Sequence, residues 1–215
     1  MGETEENPEF ELSGGALCLD FANTIGDRPR CSEEKLGGYA DLLRWGRQTE
    51  ILTTGERRRL ERLARRDPSA ADRVFGHAIA LRETIYRIFA RLARGEAPAT
   101  EDLESLNSRL PEALGRLEIR RQEEGFDWRW GGPPEALDRL LWPVVRSAAE
   151  LLTSREASRV CECASETCSW LFVDRSRNHR RRWCDMATCG NRAKARRHYR
   201  RRCEQTGKPA PASER

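Results

Sequence analysis

The sequence predicts a mainly α-helical fold carrying one β-hairpin, followed at the C-terminus by a small cysteine-rich module. Three observations predict it. Apolar residues recur at i, i+3 and i+4 through most of the first 155 positions. The period changes to two only between Leu117 and Trp130. Six of the eight cysteines lie after residue 160.

The elements follow in order. Residues 16–25 form an apolar run with polar insertions, ALCLDFANTI, in which Cys18 reads as a small buried hydrophobe. Leu36, Tyr39, Leu42 and Leu43 have helical spacing, and Thr54-Gly55-Glu56 precedes a short helix carrying Leu60 and Leu63. The clearest helix runs from Ala70 to Arg94, with Val74, Ala78, Leu81, Ile85, Ile88 and Leu92 as its stripe and Gly95 and Pro98 as its end. Thr100 reads as the cap of a further helix that Pro111 distorts. Leu117 and Ile119, then Phe126, Trp128 and Trp130, alternate with polar residues around a turn at 122–125. That is a β-hairpin, and its aromatic face is expected to pack on the helices. After Gly131-Gly132-Pro133-Pro134 comes a helix with Leu137, Leu140, Leu141, Val144, Val145, Ala148 and Leu152 inward and Pro143 as a kink. The tail from Gly207 is expected to be disordered.

Charge is segregated. From Arg155 to Arg202 there are 14 Lys/Arg against 5 Asp/Glu, a net +9, whereas the remainder of the chain has a net −5. Such asymmetry predicts two modules with different partners, divided near 155–159 without a flexible linker. No stretch approaches the ~20 apolar residues of a membrane span. The start, Met1 to Glu11, is acidic and polar rather than basic then apolar, which predicts a cytoplasmic protein.

Cys163, Cys168, Cys184 and Cys189 form a C-x4-C…C-x4-C array. In a reducing compartment clustered cysteines point to metal, and four thiolates close a tetrahedron around one Zn²⁺. Such a closed set leaves no position for substrate, so the ion is structural. Cys161 in place of Cys163 is an alternative first ligand, and Cys203 reads as a bystander. Trp170 to Val173 and Arg180 to Trp183 are expected to be two strands joined by a turn, with a helix over Arg192 to Arg202. The order of knuckle, hairpin and helix makes the module treble-clef-like. Cys184→Ser would then melt this module and spare the first.

Arg175, Arg177, Arg180, Arg181 and Arg182 flank that hairpin, while Arg192, Lys194, Arg196, Arg197 and Arg200 ride on the final helix. Guanidinium forks match phosphate oxygens, and the acids that would balance a solvated charged face are nearly absent from this segment. DNA is the expected partner. Arg192 and Arg196 are placed to read bases if the helix enters a major groove. An acidic protein partner and RNA are the alternatives.

The segment FVDRSRNHRRRWCDMATCGNRAKARRHYRR resembles the CGNR zinc finger family. It carries Cys189-Gly190-Asn191-Arg192 and the pattern Phe172, Asp174, Ser176, Asn178, Arg181, Trp183, Cys184. The resemblance covers 160–202 and places the family's zinc ligands on Cys163, Cys168, Cys184 and Cys189. LCLDFANT, Leu17 to Thr24, and ALRETIY, Ala80 to Tyr86, resemble the ABATE domain, over 14–155. Together they imply a bacterial stress-induced transcription regulator: a helical sensor or regulatory domain, then a DNA-binding finger. In the first module Asp20, Asn23, Thr24 and Arg82 are candidates for a small polar or anionic ligand, against an internal salt bridge such as Asp20 with Arg82. No nucleophile–base set, P-loop or dinucleotide loop is present, which argues against an enzyme. A homodimer is compatible with a single short finger.

Overall fold

The computed structural model describes residues 10–28 and 33–206, and for 200, 201 and 203–206 only the backbone. The predicted disordered tail and Cys31 lie outside the described residues, as does the Cys203 side chain.

Eight helices and two small sheets follow one another among the described residues. α1 is Leu17–Ala22, α2 Tyr39–Gln48, α3 Thr54–Arg66 and α4 Pro68–Ala93. α5 is Thr100–Asn107, α6 Leu110–Gly115, and the hairpin is β1 Leu117–Gln122 with β2 Gly125–Trp130. α7 is Leu141–Thr153; after a single 3₁₀ turn at Arg155–Arg159 come β3 Val160–Glu162, β4 Leu171–Val173 and α8 Asn191–Thr206.

Local chemistry sets the ends. Thr54, Gly55 and Glu56 are the first residues of α3 and do not precede it, and Thr53 caps the helix in a reciprocal box: Glu56 N–H donates to Thr53 Oγ1 at 3.2 Å and Thr53 N–H donates to Glu56 Oε2 at 2.8 Å. Asp67 Oδ1 accepts from Ala70 N–H at 2.9 Å, and Pro68 stands at the first helical position of α4, where no donor is missed. Gly95, at φ +75°, ends α4, and Glu96 N–H donates back to the Arg91 carbonyl. Pro111 does more than distort its helix. It begins a new one, so the predicted single helix is α5 and α6. Pro143 falls in the first turn of α7, where a residue has no intrahelical donor to lose.

The core lies between α1, α2, α4 and α7. Phe21 and Trp45 pack at 4.9 Å between ring centres, with Leu19, Leu42, Leu81, Ile85, Phe89, Val144 and Ala148 around them. Cys18 is fully buried, and burial pushes its thiol up to about 12. Val160, Leu171 and Val173 belong to this same core. The cysteine-rich segment therefore rests its β3–β4 pair directly on the helices.

Two expectations are corrected. Arg180 to Trp183 is not a strand: β4 pairs antiparallel with β3, which precedes the four clustered cysteines. Nor does the aromatic face of β1–β2 pack fully on the helices. Its base does, through Trp130 against Trp142 at 6.3 Å, but Ile119, Phe126 and Trp128 are 64%, 76% and 51% exposed.

Candidate metal centre and nucleic-acid interface

The four thiols reach one point from four successive segments. β3 delivers Cys163, whose N–H continues the ladder to the Trp170 carbonyl at 2.9 Å. A turn closed by Cys168 N–H on the Ser165 carbonyl brings in Cys168. Cys184 follows a loop that the buried Asp174 carboxylate builds, accepting from Ser176 N–H and Arg181 N–H, each at 2.9 Å. Cys189 sits on a π-helical turn, Met186–Gly190, that leads into α8. Asp185 caps that turn, accepting from Thr188 N–H at 2.8 Å, and Asn191 Nδ2 donates to the Ala187 carbonyl at 3.0 Å.

The four sulfurs lie within 4.8 Å of one another. Cys168 and Cys184 are 3.8 Å apart, Cys184 and Cys189 3.7 Å. Metal–sulfur bonds of about 2.3 Å in a tetrahedron give sulfur–sulfur edges of about 3.8 Å, so the spacing fits zinc. It is far beyond the ~2.05 Å of a disulfide. The sulfurs cannot all ionise unaided. Thiol hydrogen bonds from Cys168 and Cys184 drive Cys163 down, and in turn these two are driven up. A divalent cation lets four thiolates coexist at this distance. The backbone also helps, since Cys184 N–H donates to Cys163 Sγ at 3.5 Å. Cys161 packs beside the group and His179 turns its ring nitrogen to the Asp174 carbonyl; neither joins the four.

The candidate cations divide into two kinds. Arg181 is structural: it lies 4.4 Å over the Phe172 ring, and its guanidinium donates to the Trp183, Cys184 and Ser13 carbonyls. Arg175 holds Glu156 through two bonds of 2.7 Å. Arg196 leans back to Ser165 Oγ at 3.2 Å, and Arg192 faces a cavity of about 350 Å³ beside Cys168, Cys189, Trp170 and Lys35. The helix face expected to read bases thus turns partly toward its own finger. Arg177, Arg180, Arg182, Lys194 and Arg197 are exposed and, among the described residues, form no salt bridge. The Arg200 side chain is outside the described residues.

Two family models match the chain. One, described as "Putative stress-induced transcription regulator" and called ABATE, covers residues 15–155. The chain belongs to the ABATE family. The second, the CGNR zinc finger, covers residues 159–202, and its segment holds all four clustered cysteines. An ABATE domain followed by a CGNR finger, with one structural zinc suited to Cys163, Cys168, Cys184 and Cys189, fits a transcription regulator. No curated protein matches the chain. No helix among the described residues is long and apolar enough to cross a membrane.

The remaining candidates in the ABATE domain all have internal partners. Asn23 is 2% exposed and binds the finger: its Nδ2 donates to the Leu171 carbonyl at 2.8 Å and its Oδ1 accepts from Leu171 N–H at 2.9 Å. It acts as one residue of a strand beside β4. Asn23 was legible as a polar residue in an apolar run, but nothing in the sequence pointed to its partner 148 residues away. Thr24 Oγ1 donates to the Phe21 carbonyl. Arg82 pairs not with Asp20 but with Glu34, through two bonds of 2.7 Å, and with Glu83 at 2.9 Å. Asp20 accepts from Gly14 N–H at 2.8 Å, and burial pushes its carboxyl up to about 6. Trp170 Nε1, which donates to the Ile25 carbonyl at 2.9 Å, is a junction contact that sequence reasoning missed.

Proposed function

We propose that this chain is a bacterial, cytoplasmic transcription regulator that binds DNA through its zinc-closed finger, with the helical ABATE domain as the regulatory part. The observation that carries the reading is the unbalanced cationic surface. Arg177, Arg180 and Arg182 crown the loop between β4 and Cys184, and Lys194 and Arg197 lie on α8, all exposed and without a carboxylate partner among the described residues. The zinc fixes the loop and the start of α8 in one frame, because Cys184 and Cys189 are the anchors of both. Phosphates engaged by these side chains release counterions, so affinity falls with salt in proportion to the contacts made. The reading assigns no catalytic residue.

Binding to random and selected duplexes across a salt series tests it. Arg197→Ala is expected to make the slope of log affinity against log salt shallower by roughly 1 at an unchanged melting temperature. Arg181→Ala is expected to lower the melting temperature instead, since it removes a structural strut. A selected duplex that binds no better than random sequence, or a preference for single-stranded RNA, contradicts the reading.

A further inference from the structure

The β1–β2 hairpin has an edge that the other described residues leave open and a face they cover only in part, through Trp142 against Trp130 and the Arg146 guanidinium 5.6 Å over the Trp128 ring, and the order of side chains along β2 says what fits there. β1 and β2 pair in the register Leu117↔Trp130, Ile119↔Trp128 and Arg121↔Phe126. Gly131 N–H donates to the Arg116 carbonyl at 2.7 Å. In an antiparallel ladder, pairs that exchange hydrogen bonds alternate with pairs whose backbone groups turn outward. The N–H and C=O of Phe126, Trp128 and Trp130 therefore point away from β1. The Trp128 N–H agrees, since it donates to its neighbour's carboxylate, Asp127 Oδ1, at 2.8 Å. Among the described residues no third strand joins this sheet. Two-stranded hairpins are marginal in water, and an open edge beside exposed aromatic rings is a pairing surface.

We propose that β2 pairs with β2 of a second copy, antiparallel about a two-fold axis at Trp128, making one four-stranded sheet across a homodimer. The sequence Phe126-Asp127-Trp128-Arg129-Trp130 is complementary to itself in that register alone of those centred on an aromatic. Trp128 meets its own counterpart, and Phe126 meets Trp130 of the second copy. Asp127 meets Arg129 of the second copy, and this happens twice. The residues with outward backbone groups are the ones that this register joins by hydrogen bonds. Directly opposed residues project to the same face, so the aromatic rings of both copies, 76% exposed at Phe126 and 51% at Trp128, merge into one apolar strip. Asp127 is at present occupied by the Trp128 N–H. Pairing transfers that donor to a carbonyl of the second copy and releases the carboxylate to Arg129. Isologous contacts of this kind close with two members. The proposal does not rest on DNA binding.

Sedimentation velocity of the zinc-loaded full chain, over roughly 1–100 µM, is the test. The unaltered chain is expected to reach a dimer within that range. Asp127→Arg and Arg129→Asp, each alone, set like charges opposite one another and are expected to weaken the dimer at least about tenfold. The double exchange, Asp127→Arg with Arg129→Asp, made on a chain that also carries Glu118→Arg and Arg120→Glu so that the cross-strand pairs within each hairpin keep opposite charges, restores self-complementarity and is expected to restore the dimer. Zinc content and circular dichroism confirm that each variant is folded. A monomer throughout the range, single variants that dimerise as well as the unaltered chain, or a double exchange that stays monomeric would each overturn the proposal. So would a dimer that Trp128→Lys leaves intact.

Discussion

Cys184→Ser is expected to abolish stoichiometric zinc binding and to lower the melting temperature of the whole chain, not of its C-terminal quarter alone. Cys184 is almost fully buried and stands 3.7–3.8 Å from two other ligands, so a serine oxygen there removes one thiolate and distorts the rest. Apparent zinc binding free energies in small fingers are about 10–16 kcal/mol, as large as the total stability of a typical domain. The effect spreads because Val160, Leu171 and Val173 are core residues of the helical part. Gly14, Asn23 and Ile25 bond directly to β4 or to Trp170 just before it. Amide exchange in α1 and α4 distinguishes the alternatives: faster exchange in both is expected, and unchanged exchange there with a molten finger would show that the two parts are separable.

Asn23→Ala is expected to cost about 2–6 kcal/mol, because it strands both the N–H and the carbonyl of Leu171 in a buried site, each at about 1–3 kcal/mol. Leu171 is fully buried and Asn23 2% exposed, so both groups of Leu171 lie away from bulk water. The same change is expected to weaken zinc retention, since β4 carries the chain from the first cysteine pair toward the second. Asn23→Asp keeps an acceptor for the Leu171 N–H but aims a carboxylate at the Leu171 carbonyl, so it is not expected to rescue. Urea unfolding of the zinc-loaded chain measures this; a loss under about 0.5 kcal/mol would show that the junction is incidental.

Much of this molecule was legible in its residues. The stripe from Val74 to Leu92 gave α4 within two residues at its N-terminus, and alternation from Leu117 to Trp130 gave β1 and β2. The spacing of Cys163, Cys168, Cys184 and Cys189 identified the quartet, because tetrahedral thiolate chemistry constrains residue type and grouping together. What was not legible depends on contacts between distant segments. An alternating pattern does not say whether an aromatic face meets a helix or solvent, so the exposure of Phe126 and Trp128 came only with the structure. Arg180 to Trp183 is placed to return as the second strand of a hairpin, but β4 pairs with β3 instead, and Asp174 folds the intervening segment into a loop. Arg181 is indistinguishable in sequence from Arg180 and Arg182, yet it alone of the three is stacked on Phe172 and bonded to three carbonyls. Charge counting cannot separate a strut from a contact.

The link from cysteine quartet to shared core to cationic surface is tested most directly by elemental analysis joined to chelation. Purified chain after exhaustive dialysis is expected to hold one zinc per molecule, and its removal by a strong chelator is expected to unfold β3, β4 and the start of α8 while exposing the core that Leu171 and Val173 seal. Substoichiometric metal in folded, homogeneous material, or amide exchange across residues 160–192 that chelation leaves unchanged, would contradict the account.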